Sequence, residues 1–467
     1  MRLRGDIDIE LTDVVTGDVE THHETNMMTN AVNEILNSNP FAVFYNAMSS
    51  NDGVAWYSAM LPMCPNMIGG ILLFPETLQE DASNTYQYSD NMPVAYASND
   101  VNATANVARG SMNLTESMPI ENGYKFVWEF TAGQGNGTIA ALGLTSADGG
   151  KNAYGSIVDD SSTFKNMKTG RFSYDMTKAA FYDLLGIVEV DFEHDTAWSF
   201  HFESSSVVIK KLHIPIFTLG LNDQLNDETV KVLETRTIVC STFHFLTTYN
   251  GYGQFYDGGD GYWYGFANQS NSSGTSTMYW VKISKTDFSK TEGTWTLSNA
   301  QLMEVGNQYL DTYAVRNVKS VLRNGYLYVM AYNKQGIYKI NVNNHTDITL
   351  IPLGFTSQWK SISENTNNLL YMALVGDIII GYDFQILADD TVIQTAGVAR
   401  MGAVGTPLFR YKEFIACWGS SYGNMYRHVY LLTPYLASIN NLSQAVVKTA
   451  SKTMKITYTL TEIPENS

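Results

Sequence analysis

The sequence predicts a mainly β protein: a β-propeller-like repeat domain with a small α+β module at the N-terminus that the C-terminal strand completes. Three observations carry this. Charged residues make up only 16% of the 467-residue chain while aromatics reach 12%, with 29 Tyr, and few charges with many rings is the composition of extended structure with uncharged polar surfaces. Aromatic strands recur in pairs through the second half. Both chain ends alternate apolar and polar residues at period two, the signature of a half-buried strand.

Taken in order, residues 5–24 read as a hairpin. Asp6-Ile7-Asp8-Ile9-Glu10-Leu11 alternates, Thr16-Gly17-Asp18 supplies a turn, and Val19-Glu20-Thr21-His22 begins the return strand. A short helix is expected next, capped by Asn26 or Thr29 and ended by Asn39-Pro40, with Met28, Val32, Ile35 and Leu36 on one stripe. This is the module of residues 1–38, and its stripe is the candidate assembly surface. Residues 39–120 read as an irregular connection: Ile71-Leu72-Leu73-Phe74 suits a strand, but 79–104 is a polar loop or insertion.

From residue 121 to 445 strand signals dominate. Tyr124, Phe126, Trp128 and Phe130 share one face, and the glycines of 133–137 lead into a second strand over 138–144. Further strands are expected at 187–190, 197–202, 207–212, 237–245 and 261–266. A loose repeat follows, in which an aromatic strand is succeeded by one centred on Tyr279, Tyr338, Tyr382 or Tyr430. Steps of 44 and 48 residues separate the last three of these tyrosines, and ~40–50 residues is the length of a four-stranded propeller blade. Five to seven such units fit the length; a β-sandwich or an irregular β-fold is the alternative. Residues 446–467 end in a clean alternation over 452–461 that needs a partner strand, because its backbone groups must be paired. The expectation is that the two chain ends share a sheet.

The charge balance, 29 Lys+Arg against 46 Asp+Glu for a net −17, shows no basic stripe and argues against nucleic acid. Disorder and long coiled coils are excluded by the abundance of aromatics and the scarcity of charge. The longest apolar run, 67–75, is broken by Gly69 and Gly70 and falls far short of the ~20 residues that span a bilayer, so no membrane insertion is expected. Cys64, Cys240 and Cys417 are odd in number and far apart, which suits a reducing compartment. The opening Met1–Asp6 lacks the apolar core of a secretory leader.

No catalytic constellation emerges, and no enzyme, metal or cofactor is expected. Asp159-Asp160, Asp257, Asp260 and Asp389-Asp390 read as turn residues, although paired carboxylates would be needed to cleave a glycan. Asp257-Gly258-Gly259-Asp260-Gly261 could surround Ca²⁺ but reads first as a tight turn. Gly419-Ser420-Ser421-Tyr422-Gly423 matches a nucleophile elbow by letter, yet a strand rather than a helix follows it. The candidate binding surface is aromatic: Tyr252, Phe255, Tyr256, Tyr262, Trp263 and Tyr264, rings that could bind sugars or a partner protein, or else pack between repeats.

Three stretches stand out together: Gly5–Gly17 followed by Asn26–Val32; Phe126–Phe130 leading to Asn136–Ile139 and Leu142–Thr145; and Leu442–Leu460, with Lys448-Thr449 and Met454-Lys455-Ile456-Thr457-Tyr458. As a set they resemble structural tail-fibre and receptor-binding proteins of phages and prophages of Firmicutes and other gut bacteria. They cover about a fifth of the chain and carry no catalytic residue. The resemblance implies a virion protein of the tail, assembled in the bacterial cytoplasm, homo-oligomeric, with other virion proteins and a host surface glycan or protein as partners. A purely architectural collar, baseplate or decoration protein, and a glycan depolymerase, are the alternatives.

Overall fold

The computed structural model describes residues 2–32, 68–85, 91, 93–145, 166–167, 172–173, 186–191, 194, 196–203, 205–213, 231–243, 255–268, 276–297, 303–304, 320–331, 333–344, 346–357, 372–375, 377–381, 383–394, 406–411, 414–420, 426–432 and 436–463. The first strands are β1 (Arg2–Asp13), β2 (Val19–Met28), β3 (Gly70–Phe74), β4 (Ala95–Ser98), β5 (Ser111–Met112), β6 (Met118–Ile120), β7 (Gly123–Phe130) and β8 (Gly137–Thr145). Next come β9 (Asn166–Met167), β10 (Phe172–Ser173), β11 (Ile187–Asp191), β12 (Thr196–Glu203), β13 (Ser206–His213), β14 (Lys231–Val239), β15 (Phe255–Asp257), β16 (Tyr262–Asn268), β17 (Ser276–Ser284) and β18 (Lys290–Leu297). The remainder are β19 (Met303–Glu304), β20 (Ser320–Arg323), β21 (Tyr326–Ala331), β22 (Gly336–Asn341), β23 (Ile348–Pro352), β24 (Ala373–Val375), β25 (Ile378–Ile380), β26 (Phe384–Ile386), β27 (Val392–Gln394), β28 (Thr406–Tyr411), β29 (Phe414–Ser420), β30 (Tyr426–Leu432), β31 (Ser438–Lys448) and β32 (Lys452–Ile463).

One ten-stranded sheet runs β4-β3-β8-β31-β2-β1-β32-β7-β5, with β6 also on β7. Its two edges nearly meet. Tyr96 in β4 bridges to Arg109 just before β5, with Tyr96 N donating to Ala108 O at 3.0 Å and Gly110 N to Tyr96 O at 2.9 Å. The sheet is thus almost a closed barrel, which leaves little unpaired edge.

The chain ends meet in this sheet. β32 pairs antiparallel with β1 from Arg2↔Ile463 to Asp13↔Lys452 and with β7 on its other side. Period two in all three strands aligns apolar side chains in cross-strand rows: Ile7–Tyr458–Phe126, Ile9–Ile456–Trp128 and Leu11–Met454–Phe130. All nine are buried, and full burial of such a side chain contributes roughly 1.5–3 kcal/mol. Detaching β32 would expose its share of every row at once, so β32 is an integral strand of the sheet.

The sheet corrects three expectations. The N-terminal hairpin is not a separate module but the middle of the large sheet; the expected helix is seen only at its start, and 33–38 lie outside the described residues. Met28 ends β2, paired with Ser438, and helical residues among those described are only Asn30–Val32. Strand pairing captures the segment up to Thr29, whose N–H donates to Ala437 O and whose hydroxyl donates to Leu436 O at 2.6 Å. Val32 is buried, while Ile35 and Leu36 lie outside the described residues. Second, the described part of 39–120 carries β3 to β6 of the same sheet; β4, inside the polar-looking 79–104, is entirely buried. Third, β7 and β8, expected at the start of the repeat domain, belong to the large sheet as well.

Five smaller antiparallel sheets occupy the described residues between β8 and β31. We number them I (β11–β14), II (β15–β18), III (β19–β23), IV (β24–β27) and V (β28–β30). Sheet V is completed by β9 and β10, which precede sheet I in sequence. The leading strands β11, β15, β20 and β24 lie against one another in succession, and β11 also lies against β28. The arrangement is compatible with a propeller-like fold. Both faces of sheet II are covered. Phe255, Trp263 and Val281 pack with Phe200 and Ile209 of sheet I, while Tyr264, Phe266 and Trp295 pack with Leu327 and Val329 of sheet III.

Candidate binding site between two sheets

The predicted aromatic surface divides between core and solvent. Phe255, Trp263 and Tyr264 are buried, because alternate positions on a strand with both faces covered are all interior. Trp263 and Phe255 pack against Phe200 with ring centroids 5.0 and 5.2 Å away. Tyr256 is half-buried and ties sheet II to sheet III through its hydroxyl, which donates to Ser320 O at 3.1 Å. Tyr262 is 39% exposed. Tyr252 lies outside the described residues. The six positions are therefore not one binding face.

A different pattern, built on lysine, repeats at three sheet junctions. In each, an aromatic residue on one strand stands opposite a lysine on the next: Trp198↔Lys211 of β12 and β13 in sheet I, Tyr264↔Lys282 of β16 and β17 in sheet II, and Tyr328↔Lys339 of β21 and β22 in sheet III. The ammonium sits over the paired ring at 5.5, 5.0 and 5.9 Å, an attraction to the ring face. The turn between the last two strands of the next sheet then meets this pair. It brings Phe288 to Trp198 at 5.9 Å, Asn343 to Lys282 at 3.1 Å and Asp390 to Lys339 at 2.6 Å.

The three junctions are filled differently. At I/II the rings of Trp198, Trp263 and Phe288 close the gap. At III/IV Arg323 fills it, almost wholly buried: Nη2 donates to Asp390 at 2.6 Å and Tyr328 Oη at 2.9 Å, and Nη1 to the carbonyls of Asp377 and Leu387 at 2.8 and 2.9 Å. Burial alone would raise the Asp390 carboxyl, but Lys339, Tyr328 and Arg323 outweigh it and hold the group below the usual carboxylate range.

At II/III the same position is a cavity of about 300 Å³. Asp260, Tyr264, Leu322, Asn324, Val342 and Asn343 line it. Two hairpin turns shape the walls. In sheet III, Asn324 and Gly325 have φ of 51° and 77°, the left-handed pair of a tight two-residue hairpin. In sheet II the turn is longer, Gly258–Gly261, and a Cβ at Gly258 would lie 2.4 Å from the Tyr264 ring. The added length carries Asp260 to the cavity rim, where its Oδ2 accepts from Tyr264 Oη at 2.6 Å. Lys282 Nζ stands 3.7 Å from the same carboxylate and 4.1 Å over the ring of Tyr262. Burial, then the hydrogen bond to Asp260, push the Tyr264 phenol well above its ordinary range, so it remains a neutral donor.

Other sequence candidates fall elsewhere. Asp257 pairs with Lys285 at 2.8 Å, as does Glu189 at 2.7 Å. Ser420 ends β29 and pairs with Arg427 of β30; the rest of the motif, 421–423, lies outside the described residues. Asp159 and Asp160 lie outside the described residues. Among the described residues no three His, Cys, Asp or Glu side chains gather as a metal site, and no helix is long and apolar enough to cross a membrane. The Cys240 thiol is buried, which pushes it up to about 11. The lysine pattern had a partial sequence signal: Lys282 and Lys339 are lone cations within their strands, whereas Lys211 stands beside Lys210.

No family model matches the chain, and no curated protein does. Among solved structures it is similar to the crystal structure of Citrobacter koseri AztD, at 11% identity over 85% of this chain and 96% of that one, with a TM-score of 0.26. It is also similar to apo AztD from Citrobacter koseri, at 9% identity over 84% and 94%, with a TM-score of 0.19. Likeness at this level carries no argument about fold or function.

Proposed function

We propose that this chain is a non-enzymatic bacteriophage tail protein, a fibre or baseplate appendage that takes part in attachment to the host surface. One observation carries the reading. The three separated stretches that resemble phage tail proteins converge on a single unit: residues 5–17 form most of β1, 126–145 span β7 and β8, and 442–460 span β31 and β32, all strands of the ten-stranded sheet. Segments that share a resemblance and also share a sheet behave as one attachment module. The five smaller sheets are inserted between β8 and β31 and form the displayed part, propeller-like in design, with loops free to vary. Its partners are other virion proteins and further copies of itself at the attachment module, and a host-surface glycan or protein at the displayed sheets. The test is to look for the protein in purified phage particles by mass spectrometry, label it by immuno-electron microscopy, and measure binding of the purified chain to host cells. Tail labelling with saturable cell binding is the expected result; absence from the particle overturns the reading, and tail labelling without cell binding makes the protein architectural.

A further inference from the structure

We propose that the cavity between sheets II and III is a saccharide subsite that takes one neutral hexopyranose unit. Equivalent positions at the two neighbouring junctions are filled from within, by Phe288 in one and by Arg323 with Asp390 in the other. The II/III junction has the same aromatic–lysine pair but keeps about 300 Å³ open, at the small end of ligand sites and suited to a single ring.

The polar groups on its wall are of the kind that a sugar needs. Asp260 offers carboxylate acceptors at the rim. The carbonyl oxygen of Asn343 accepts from Lys282, which turns the amide so that its two N–H donors are left for a ligand. Asn324, held in the turn by its positive φ, contributes a second amide with both donor and acceptor capacity. Vicinal hydroxyls donate and accept at once, so a carboxylate and two amides can grip a diol. Tyr264, Leu322 and Val342 give the C–H face of the ring an apolar wall. The Asp260 charge is balanced by Lys282 at 3.7 Å, which favours an uncharged ligand; a uronate would meet Asp260 at the rim.

The inference rests on the attachment reading only for the source of the sugar, a host-surface glycan. The probe is the methyl glycosides of glucose, galactose, mannose and N-acetylglucosamine, with glucuronic acid as the anionic counterpart, offered to the full chain and followed by saturation-transfer NMR. At least one neutral glycoside is expected to bind, more tightly than glucuronic acid and at least tenfold more weakly to Asp260→Ala and to Asn343→Ala. Both side chains are exposed, so folding is retained, and circular dichroism checks it. No glycoside binding by the wild type, or binding unchanged in both variants, overturns the subsite whatever the protein does on cells. Site-dependent binding by a protein that is absent from phage particles supports the subsite and overturns the attachment reading instead.

Discussion

The junctions on either side of sheet III use the same strand positions for opposite ends. At III/IV, Tyr328 and Lys339 meet a buried guanidinium and a partly buried carboxylate that satisfy each other. At II/III, Tyr264 and Lys282 meet a carboxylate and an amide at the edge of an open cavity. A hairpin turn longer in sheet II than in sheet III, and a guanidinium at Arg323 in one gap only, separate the two. The difference teaches that a repeated packing unit becomes a site where its filler is withheld. It also says where mutations should be costly: at the filled junctions, where charges are enclosed, and not at the open one.

The largest expected effect is at Arg323. Its side chain is 4% exposed and its partner Asp390 25%. Arg323→Met leaves Asp390 with Lys339 and the Tyr328 hydroxyl and strips the Asp377 and Leu387 carbonyls of a donor. Breaking an enclosed ion pair by removing one partner costs about 3–5 kcal/mol, read as a lower midpoint in urea denaturation. A loss below ~1 kcal/mol would mean that the III/IV junction is not held by this network.

Next comes Glu292 of β18, which ties the segment after sheet I to sheet II. Its carboxylate accepts from the N–H groups of Ser241, Thr242 and Phe243 at 3.0, 2.9 and 2.8 Å and pairs with Lys290. Burial raises this carboxyl, but the Lys290 hydrogen bond and the three backbone donors prevail and hold it far below its ordinary value. The sign follows from linkage: in acid the unfolded chain takes up a proton here before the native one does, so the contribution is full above the unfolded value of 4.5 and fades as pH falls below it. Glu292→Gln is expected to lose roughly 1.5–3 kcal/mol at neutral pH and to flatten the acid limb of a stability–pH curve. An unchanged acid limb would contradict the role given to this carboxylate.

The large sheet and the small ones also differ in how much the sequence reveals. β1 and β32 are long, alternate cleanly and have one covered face, so period two is visible and the sharing of a sheet by the chain ends could be read directly. Sheet II has both faces covered, so Phe255, Trp263 and Tyr264 are all interior and their alternation says nothing about a surface. β4 was hidden for another reason: Ala95, Ala97 and Ser98 are small, and their burial comes from the neighbouring strands and not from their own hydrophobicity. The cavity was half legible. Asp257–Gly261 stood out as a turn, but Asn324 and Asn343 come 64 and 83 residues after Asp260, and only the register of sheets II and III brings them to it.

A paired substitution sharpens the junction comparison at smaller amplitude. Tyr328 and Tyr264 are both buried and both donate to an aspartate, Asp390 at 2.9 Å and Asp260 at 2.6 Å. Tyr328→Phe removes a hydroxyl that also receives Arg323 Nη2, inside a junction that water does not replace, and should cost about 1–3 kcal/mol. Tyr264→Phe frees a carboxylate that stands at a wet rim and can be hydrated, and should cost less than about 1 kcal/mol. Thermal melts of the two variants side by side measure the difference; equal losses would remove the distinction between filled and open junctions.

The smallest effect is expected at the rim itself. The Asp260 side chain is 41% exposed and its ammonium partner is 3.7 Å away, so solvent screens the pair and its net worth falls in the ~0–1 kcal/mol range of surface ion pairs. Asn343 is exposed as well, and neither residue fills volume in the junction. Asp260→Ala and Asn343→Ala should therefore each shift stability by less than about 0.5 kcal/mol. Near-neutral denaturation curves for both, beside the large loss for Arg323→Met, are what a ligand site built on a structural repeat requires. A loss approaching that of Arg323→Met would mean instead that Asp260 and Asn343 hold sheets II and III together, and the cavity between them would be a packing defect.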